Sequence, residues 1–233
     1  MESLHDGRYT FEAWVNANRG NWCFAKDTQN NGEEVFIKEF VGMRHPPAYA
    51  DLSNPDVQRK KKQFDDFVAR MQRVTDKVKV LAGPTGSLVV TIDLFVEKGK
   101  LFKVTKKESF KPWSGPEVHE HMDADAIDKL MKGIAGAVGT LHTANILHCD
   151  LKPDNIFIVE RNGQLRALVS DFDDSFFLDD IPGPGDVINT PPYLSPELVA
   201  YRVGLNDKGP SQLTIASDIF TLGLIYYAMD LTA

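Results

Sequence analysis

The prevailing hydrophobic pattern of this chain changes after Pro116, and that change limits what it can fold into. Up to Thr105 the apolar residues come in short runs broken by turn residues. Trp22-Cys23-Phe24-Ala25 and Val35-Phe36-Ile37-Lys38 flank the Asn-, Asp- and Gly-rich segment Asp27 to Gly32, and Leu88 to Val96 meets Lys100 to Thr105 across Glu97-Lys98-Gly99. Runs and turns of this kind predict antiparallel hairpins. After Pro116 the period becomes helical, with Ile127, Leu130, Met131, Ile134, Val138 and Leu141 on one stripe of a helix over Ala126 to Leu141. Within the first part only Phe64, Phe67, Val68, Met71 and Val74 have helical spacing, behind a solvated basic start, Arg59 to Lys62. His45 to Pro55, with three prolines, predicts a loop ahead of that helix. A small sheet with one helix, followed by a mainly helical part, makes an α+β chain divided near residues 107 to 116.

The second part also holds short strand patterns, Ile156 to Val159 and Leu165 to Val169, and a Pro/Gly-rich loop from Ile181 to Gly185. Ile219 to Met229 is apolar nearly all round but too short to span a bilayer, so it predicts a helix that something must cover. A net charge of -7 argues against nucleic acid or an anionic membrane as a partner. The 2 cysteines, Cys23 and Cys149, form neither a disulfide framework nor a zinc spacing, and Met1 to Trp14 lacks the apolar core of a signal peptide. These features predict a cytoplasmic protein.

His148-Cys149-Asp150-Leu151-Lys152-Pro153-Asp154-Asn155 carries the strongest chemical signal. Phosphoryl transfer to a hydroxyl needs a carboxylate to align the incoming oxygen and take its proton, a cation, and oxygen ligands for a metal. This one turn supplies all three types. Asp171-Phe172-Asp173 follows the strand pattern Leu168-Val169-Ser170 and adds a second candidate metal-binding carboxylate. Further on lie Thr190-Pro191-Pro192-Tyr193-Leu194-Ser195-Pro196-Glu197 and Ser217-Asp218-Ile219-Phe220-Thr221-Leu222-Gly223.

In order and spacing, from Val35-Phe36-Ile37-Lys38 onward, these segments resemble the protein kinase family over essentially the whole chain. The resemblance implies a bilobal fold with a strand-rich N-lobe, residues 1–107, and a helix-rich C-lobe, residues 108–233, incomplete after the helix of Asp218. It implies ATP and Mg2+ (or Mn2+) as cofactors and transfer to serine or threonine hydroxyls of a protein substrate, the chain itself included. Position by position, Lys38 would pair with the α- and β-phosphates, Asp150 would be the catalytic base and Lys152 would steady the γ-phosphate. Asn155 and Asp171 would hold the metal. The backbone near Lys106 to Glu108 would meet adenine, with Thr105 behind it, while Thr190 would brace the catalytic loop and Asp218 would anchor it from below. Asp-Leu-Lys-Pro-x-Asn together with Thr190 is typical of the serine/threonine branch.

The pattern is also broken. Val15, Ala17 and Gly20 stand where the family's phosphate-covering loop has three glycines. Asp173 replaces a glycine, which either strengthens metal binding or repels phosphate. Cys149 replaces an arginine that reads a phosphate on the activation segment, and few hydroxyls stand between Asp171 and Glu197, so activity independent of that phosphorylation is expected. Cys149 itself is expected to be a packed thiol. No arginine follows Arg202 to pair with Glu197, and the expectation is that the sequence is a fragment or that a partner chain covers the last helix. For the acid that pairs with Lys38, Asp65, Asp66 and Gln63 all remain open. Two rival readings stand beside the kinase: a pseudokinase or ATP-binding scaffold, and a small-molecule kinase on a related fold.

Overall fold

The computed structural model describes residues 1–17, 20–107, 111–112, 122–184, 192–205 and 213–230. The chain forms two compact units, Met1–Arg73 with Val90–Glu108, and Val74–Val89 with Ser109–Ala233.

The first unit is built on one antiparallel sheet. Its strands are β1 (Glu2–Leu4), β2 (Tyr9–Phe11), β3 (Val15–Ala17), β4 (Gly20–Asp27), β5 (Glu33–Glu39), β6 (Thr91–Glu97) and β7 (Lys100–Lys106). They run in the order β1-β2-β4-β5-β7-β6, with β3 paired to β4. Tight turns set the hairpins: Asn31 and Gly32 (φ 54° and 73°) join β4 to β5, and Lys98 and Gly99 (φ 51° and 72°) join β6 to β7. Alternation then sorts the faces. Cys23, Ala25, Val35, Ile37 and Val104 go inward, to a core shared with Tyr9, Phe11, Phe95 and Phe102.

A buried polar cluster ties β2 to β4 and to β6 at the far end of the strand order. The Arg8 guanidinium grips Asp27 with two hydrogen bonds of 3.0 and 2.9 Å and donates a third, of 3.0 Å, to Asp93. Tyr9 donates to the same Asp93 oxygen at 2.8 Å, and the His5 backbone N–H donates to Glu97 at 2.7 Å. The Arg8 hydrogen bonds hold the Asp27 carboxyl below its ordinary value despite its burial.

Helix α1 (Pro55–Thr85) starts at Asn54, whose side chain accepts from the Asp56 N–H at 2.9 Å, and runs well past the stripe visible in the sequence. The reason is that Val78 and Ala82 keep the buried period begun by Phe64, Met71 and Val74. Asp65 and Asp66 pair with Lys61 and Lys62 along the exposed side of this helix, and Gln63 is exposed too.

The second unit is organised by helix α2 (Ala124–Thr143), capped by Asp123, which accepts from the Ala126 N–H at 2.8 Å. Its buried stripe is Leu130, Met131, Ile134, Ala137, Val138 and Leu141. Strand β8 (Lys111–Pro112) lies beside β10 (Ile156–Arg161), which forms a hairpin with β11 (Gln164–Val169). Strand β9 (Ile146–Leu147) pairs with β12 (Phe176–Phe177). Two helices follow, α3 (Pro196–Arg202), capped by Ser195, and α4 (Ala216–Asp230). Tyr226 of α4 donates to the Met131 carbonyl at 2.7 Å, and Leu222 and Ile225 are buried. Ile219, Phe220 and Tyr227 of the same helix stay exposed. Among the described residues no helix is long and apolar enough to cross a membrane.

Candidate active site

The loop after β9 is held by one buried carboxylate. Asp218, in the first turn of α4, accepts from the backbone N–H of His148 at 2.9 Å and of Cys149 at 3.1 Å. His142, in the last turn of α2, reaches the same carboxylate through Nε2 at 2.9 Å. The start of a helix favours negative charge, so Asp218 suits its place even with 2% of its surface exposed. Cys149 has φ 65°, a left-handed backbone that costs a non-glycine residue roughly 1–2 kcal/mol. The hydrogen bonds that the His148 and Cys149 N–H groups donate to the Asp218 carboxylate offset the cost.

His148 carries the connection onward. Its Nδ1 accepts from the Asp150 N–H at 3.3 Å, so Nε2 holds the proton and donates to the Ser170 carbonyl at 3.0 Å. Ser175 donates its hydroxyl to the His148 carbonyl at 3.1 Å. Two donors converge on Asp150 Oδ2: the Lys152 ammonium, and Asn155 Nδ2 at 3.1 Å. Asn155 Nδ2 also donates to the Asp150 carbonyl at 2.7 Å. Together they fix the rotation of a carboxylate that is 4% exposed.

A short helical turn, Pro153–Asn155, places Asn155 beside the end of β11. The Ser170 N–H and hydroxyl both donate to the Asn155 carbonyl at 2.9 Å. The next residue, Asp171, is left-handed at φ 61° and ψ 68°. Asn155 is thus bonded to the residue that precedes Asp171. With its amide NH2 engaged by Asp150, Asn155 offers its side-chain carbonyl oxygen, and Asp171 offers a carboxylate. An all-oxygen donor pair completed by phosphate and water fits magnesium or manganese. Among the described residues no group of three His, Cys, Asp or Glu forms a closed metal cage. Asp173 lies in the turn Phe172–Asp174 without positive φ, so the backbone there does not require the missing glycine.

Cys149 packs with Leu147, Phe176, Leu198, Tyr201 and Leu213, and burial pushes its thiol well above the usual value. It is a packing residue, as expected. Glu197 accepts from the Ser217 hydroxyl at 2.8 Å, and Thr221 donates to the Tyr193 carbonyl at 2.7 Å.

The remaining candidates lie in the first unit. Lys38 on β5 stands opposite Trp22 of β4 and Lys103 of β7. Val15 is exposed opposite Trp22. Gly20 has φ 145°, and a Cβ there would sit 2.4 Å from the Glu39 carbonyl oxygen, so only glycine fits this close approach. Lys106 ends β7 with its ammonium 3.6 Å from Glu33. Glu108 and Thr190, like residues 18 and 19 of the phosphate-covering loop, lie outside the described residues. Sequence reasoning missed His142 and Ser170. His142 is one polar residue closing an amphipathic helix, and its partner is 76 positions away, so no local pattern marks it.

This arrangement is that of a protein kinase, and the chain belongs to that family: residues 61–232 match the family model of the protein kinase domain. Similar proteins include the serine/threonine-protein kinase dkf-2 of Caenorhabditis briggsae, 26% identical over 202 residues, covering 85% of this chain and 14% of that protein. Myosin light chain kinase A of Dictyostelium discoideum is 31% identical over 135 residues, 58% of this chain and 39% of its own length. Calcium-dependent protein kinase 26 of Arabidopsis thaliana is 32% identical over 103 residues, 43% of this chain and 19% of that protein. The chain therefore spans well under half the length of these relatives.

Proposed function

We propose that this chain is the ATP- and magnesium-dependent catalytic region of a cytoplasmic serine/threonine kinase that phosphorylates protein substrates, itself included. Residues 1–107 act as the nucleotide-side lobe and residues 108–233 as the lobe that carries the catalytic loop. The observation that carries this reading is the Asp150 carboxylate, oriented by Lys152 and Asn155 within a loop hung from Asp218. Asp150 accepts the proton of the attacking hydroxyl, and Lys152, already beside it, balances charge on the phosphoryl oxygens. Asn155 and Asp171 hold the metal ion, which neutralises phosphate charge when bound. Lys38 pairs with the α- and β-phosphates, Val15 and Gly20 border them, and the backbone at Lys106 and Glu108 meets the base.

Transfer of labelled γ-phosphate from ATP to the chain or a generic protein tests the reading. Asp150→Asn keeps the shape of the side chain but removes the base, and transfer falls at least about a hundredfold. Equal transfer by both forms sinks the assignment of Asp150. A second reading, nucleotide binding without transfer, draws on the exposed Val15 in place of a loop glycine. It predicts metal-dependent ATP binding in both forms and transfer in neither.

A further inference from the structure

Strand β5 ends on a buried charge. Val35, Ile37 and Glu39 alternate onto its covered face, and the Glu39 side chain is 3% exposed. Its Oε2 accepts from Asn21 Nδ2 at 3.2 Å. Its Oε1 faces the Lys100 ammonium at 2.7 Å and the Arg44 guanidinium at 3.8 Å. Among the described residues no donor is aligned for a hydrogen bond to Oε1, so charge alone holds that oxygen.

A buried ion pair often stabilises a fold no more than apolar side chains of the same volume would. What it adds is direction. Glu39 joins β4 at Asn21, β7 at Lys100 and the segment after β5 at Arg44. Asn21 follows Gly20, and the two residues pair with Asn16 and Ala17 in the β3–β4 hairpin. Glu39 therefore meets this hairpin twice. Its carboxylate takes the Asn21 amide, and its backbone carbonyl lies where a Cβ on Gly20 would come within 2.4 Å.

Val15, Ala17 and Gly20 stand at the three glycine positions of the phosphate-covering loop. With only one glycine left, the backbone has fewer ways to adjust to a phosphate, and its resting position counts for more. We propose that Glu39 is a positioning residue for nucleotide binding: anchored by Lys100 and Arg44, it holds the β3–β4 hairpin in place through Asn21. The proposal rests on the reading of Val15 and Gly20 as bordering phosphate and names what steadies them. Glu39 itself touches no nucleotide. Without the link the hairpin loosens, and binding has to order it. That weakens ground state and transition state alike, so KM rises while kcat holds.

The test compares KM and kcat for γ-phosphate transfer, and Kd for ATP with magnesium, in the full chain and its variants. Thermal melting is the check on folding. Asn21→Ala removes the link but leaves Glu39 with Lys100, and it raises KM and Kd about five- to tenfold with kcat within about twofold. Its melting temperature stays that of the wild type. Asn21→Asp sets a carboxylate against Glu39 and raises both values at least as far. Adding Glu39→Gln to Asn21→Asp restores a donor and an acceptor with their roles exchanged, and both values fall again. Should Glu39→Gln fail to fold, Asn21→Ala and Asn21→Asp decide, since Asn21 is only half-buried. Wild-type KM and Kd in both Asn21 variants overturn the positioning role and leave the nucleotide reading intact. Lower melting with unchanged KM and Kd makes Glu39 a structural anchor only, which also overturns it. If the chain binds ATP without transferring phosphate, Kd alone decides by the same outcomes. If the wild type binds no ATP, the reading of the loop fails and the proposal fails with it.

Discussion

The catalytic loop and the Lys38 face of the sheet are built on opposite principles. Around Asp150 the positions of side chains are set by buried polar groups: Asp218 holds the backbone at His148 and Cys149, and Ser170 holds Asn155. On the sheet face of Lys38 aromatic rings pack across the strands, Trp22 against Phe36 at 5.6 Å and Phe24 about half exposed. Buried hydrogen bonds fix angles and distances, which proton transfer requires. Ring packing fixes a plane and tolerates what lies on it. The loop keeps Asp150, Lys152 and Asn155 of the family pattern and departs from it at Cys149, whereas the sheet face supplies a surface that the family motifs do not specify.

The sharpest way to break this contrast is to remove Asp218. Asp218→Ala strips two backbone N–H groups and His142 of their common acceptor in a buried place, and stability falls by about 3–5 kcal/mol. Denaturant unfolding of the two forms measures it. A loss below about 1 kcal/mol would show that the loop is held by its apolar neighbours instead.

Arg8→Ala tests whether the first unit also leans on buried charge, away from its aromatic face. It leaves Asp27 buried without its fork, at a cost of about 3 kcal/mol. Acid unfolding gives the independent reading. The folded-state value of Asp27 lies below the unfolded one, so its contribution is complete above the unfolded value and is lost as pH falls through the folded one. Without Arg8 that contribution goes, and acid unfolding of the variant moves to higher pH. Superimposable acid transitions would remove Asp27 from the account.

The smallest effect is expected on the aromatic face itself. Phe24→Leu changes stability by less than about 0.5 kcal/mol, because the ring is half outside. A melting shift matching that of Arg8→Ala would mean that the ring cluster is a structural core, and the contrast would fail.

The clustering of polar groups in the Asp150 turn was legible in the sequence because their contacts are local. Asp150, Lys152 and Asn155 fall within six consecutive residues, and their contacts are formed in one turn. The hairpins were legible for the same reason, since Asn31-Gly32 and Lys98-Gly99 set their own geometry. The second half of α1 was hidden, because Val78 and Ala82 are a thin apolar signal among charged neighbours. The choice among Asp65, Asp66 and Gln63 could not be made either, as helix rotation depends on packing rather than on charge.

By itself, the sequence determined which residue types stand in the reactive turn, where the strands reverse, and which stripe of α2 is buried, since each follows from bonding or periodicity over a few residues. Tertiary structure alone decided that His142 would share Asp218 with the catalytic loop, that Asp93 would meet Arg8 and Tyr9, and that three rings would gather beside Lys38. Those contacts join residues up to 85 positions apart. Their energy comes from groups brought together only after the strands have paired and the helices have packed, so no local pattern of residues announces them.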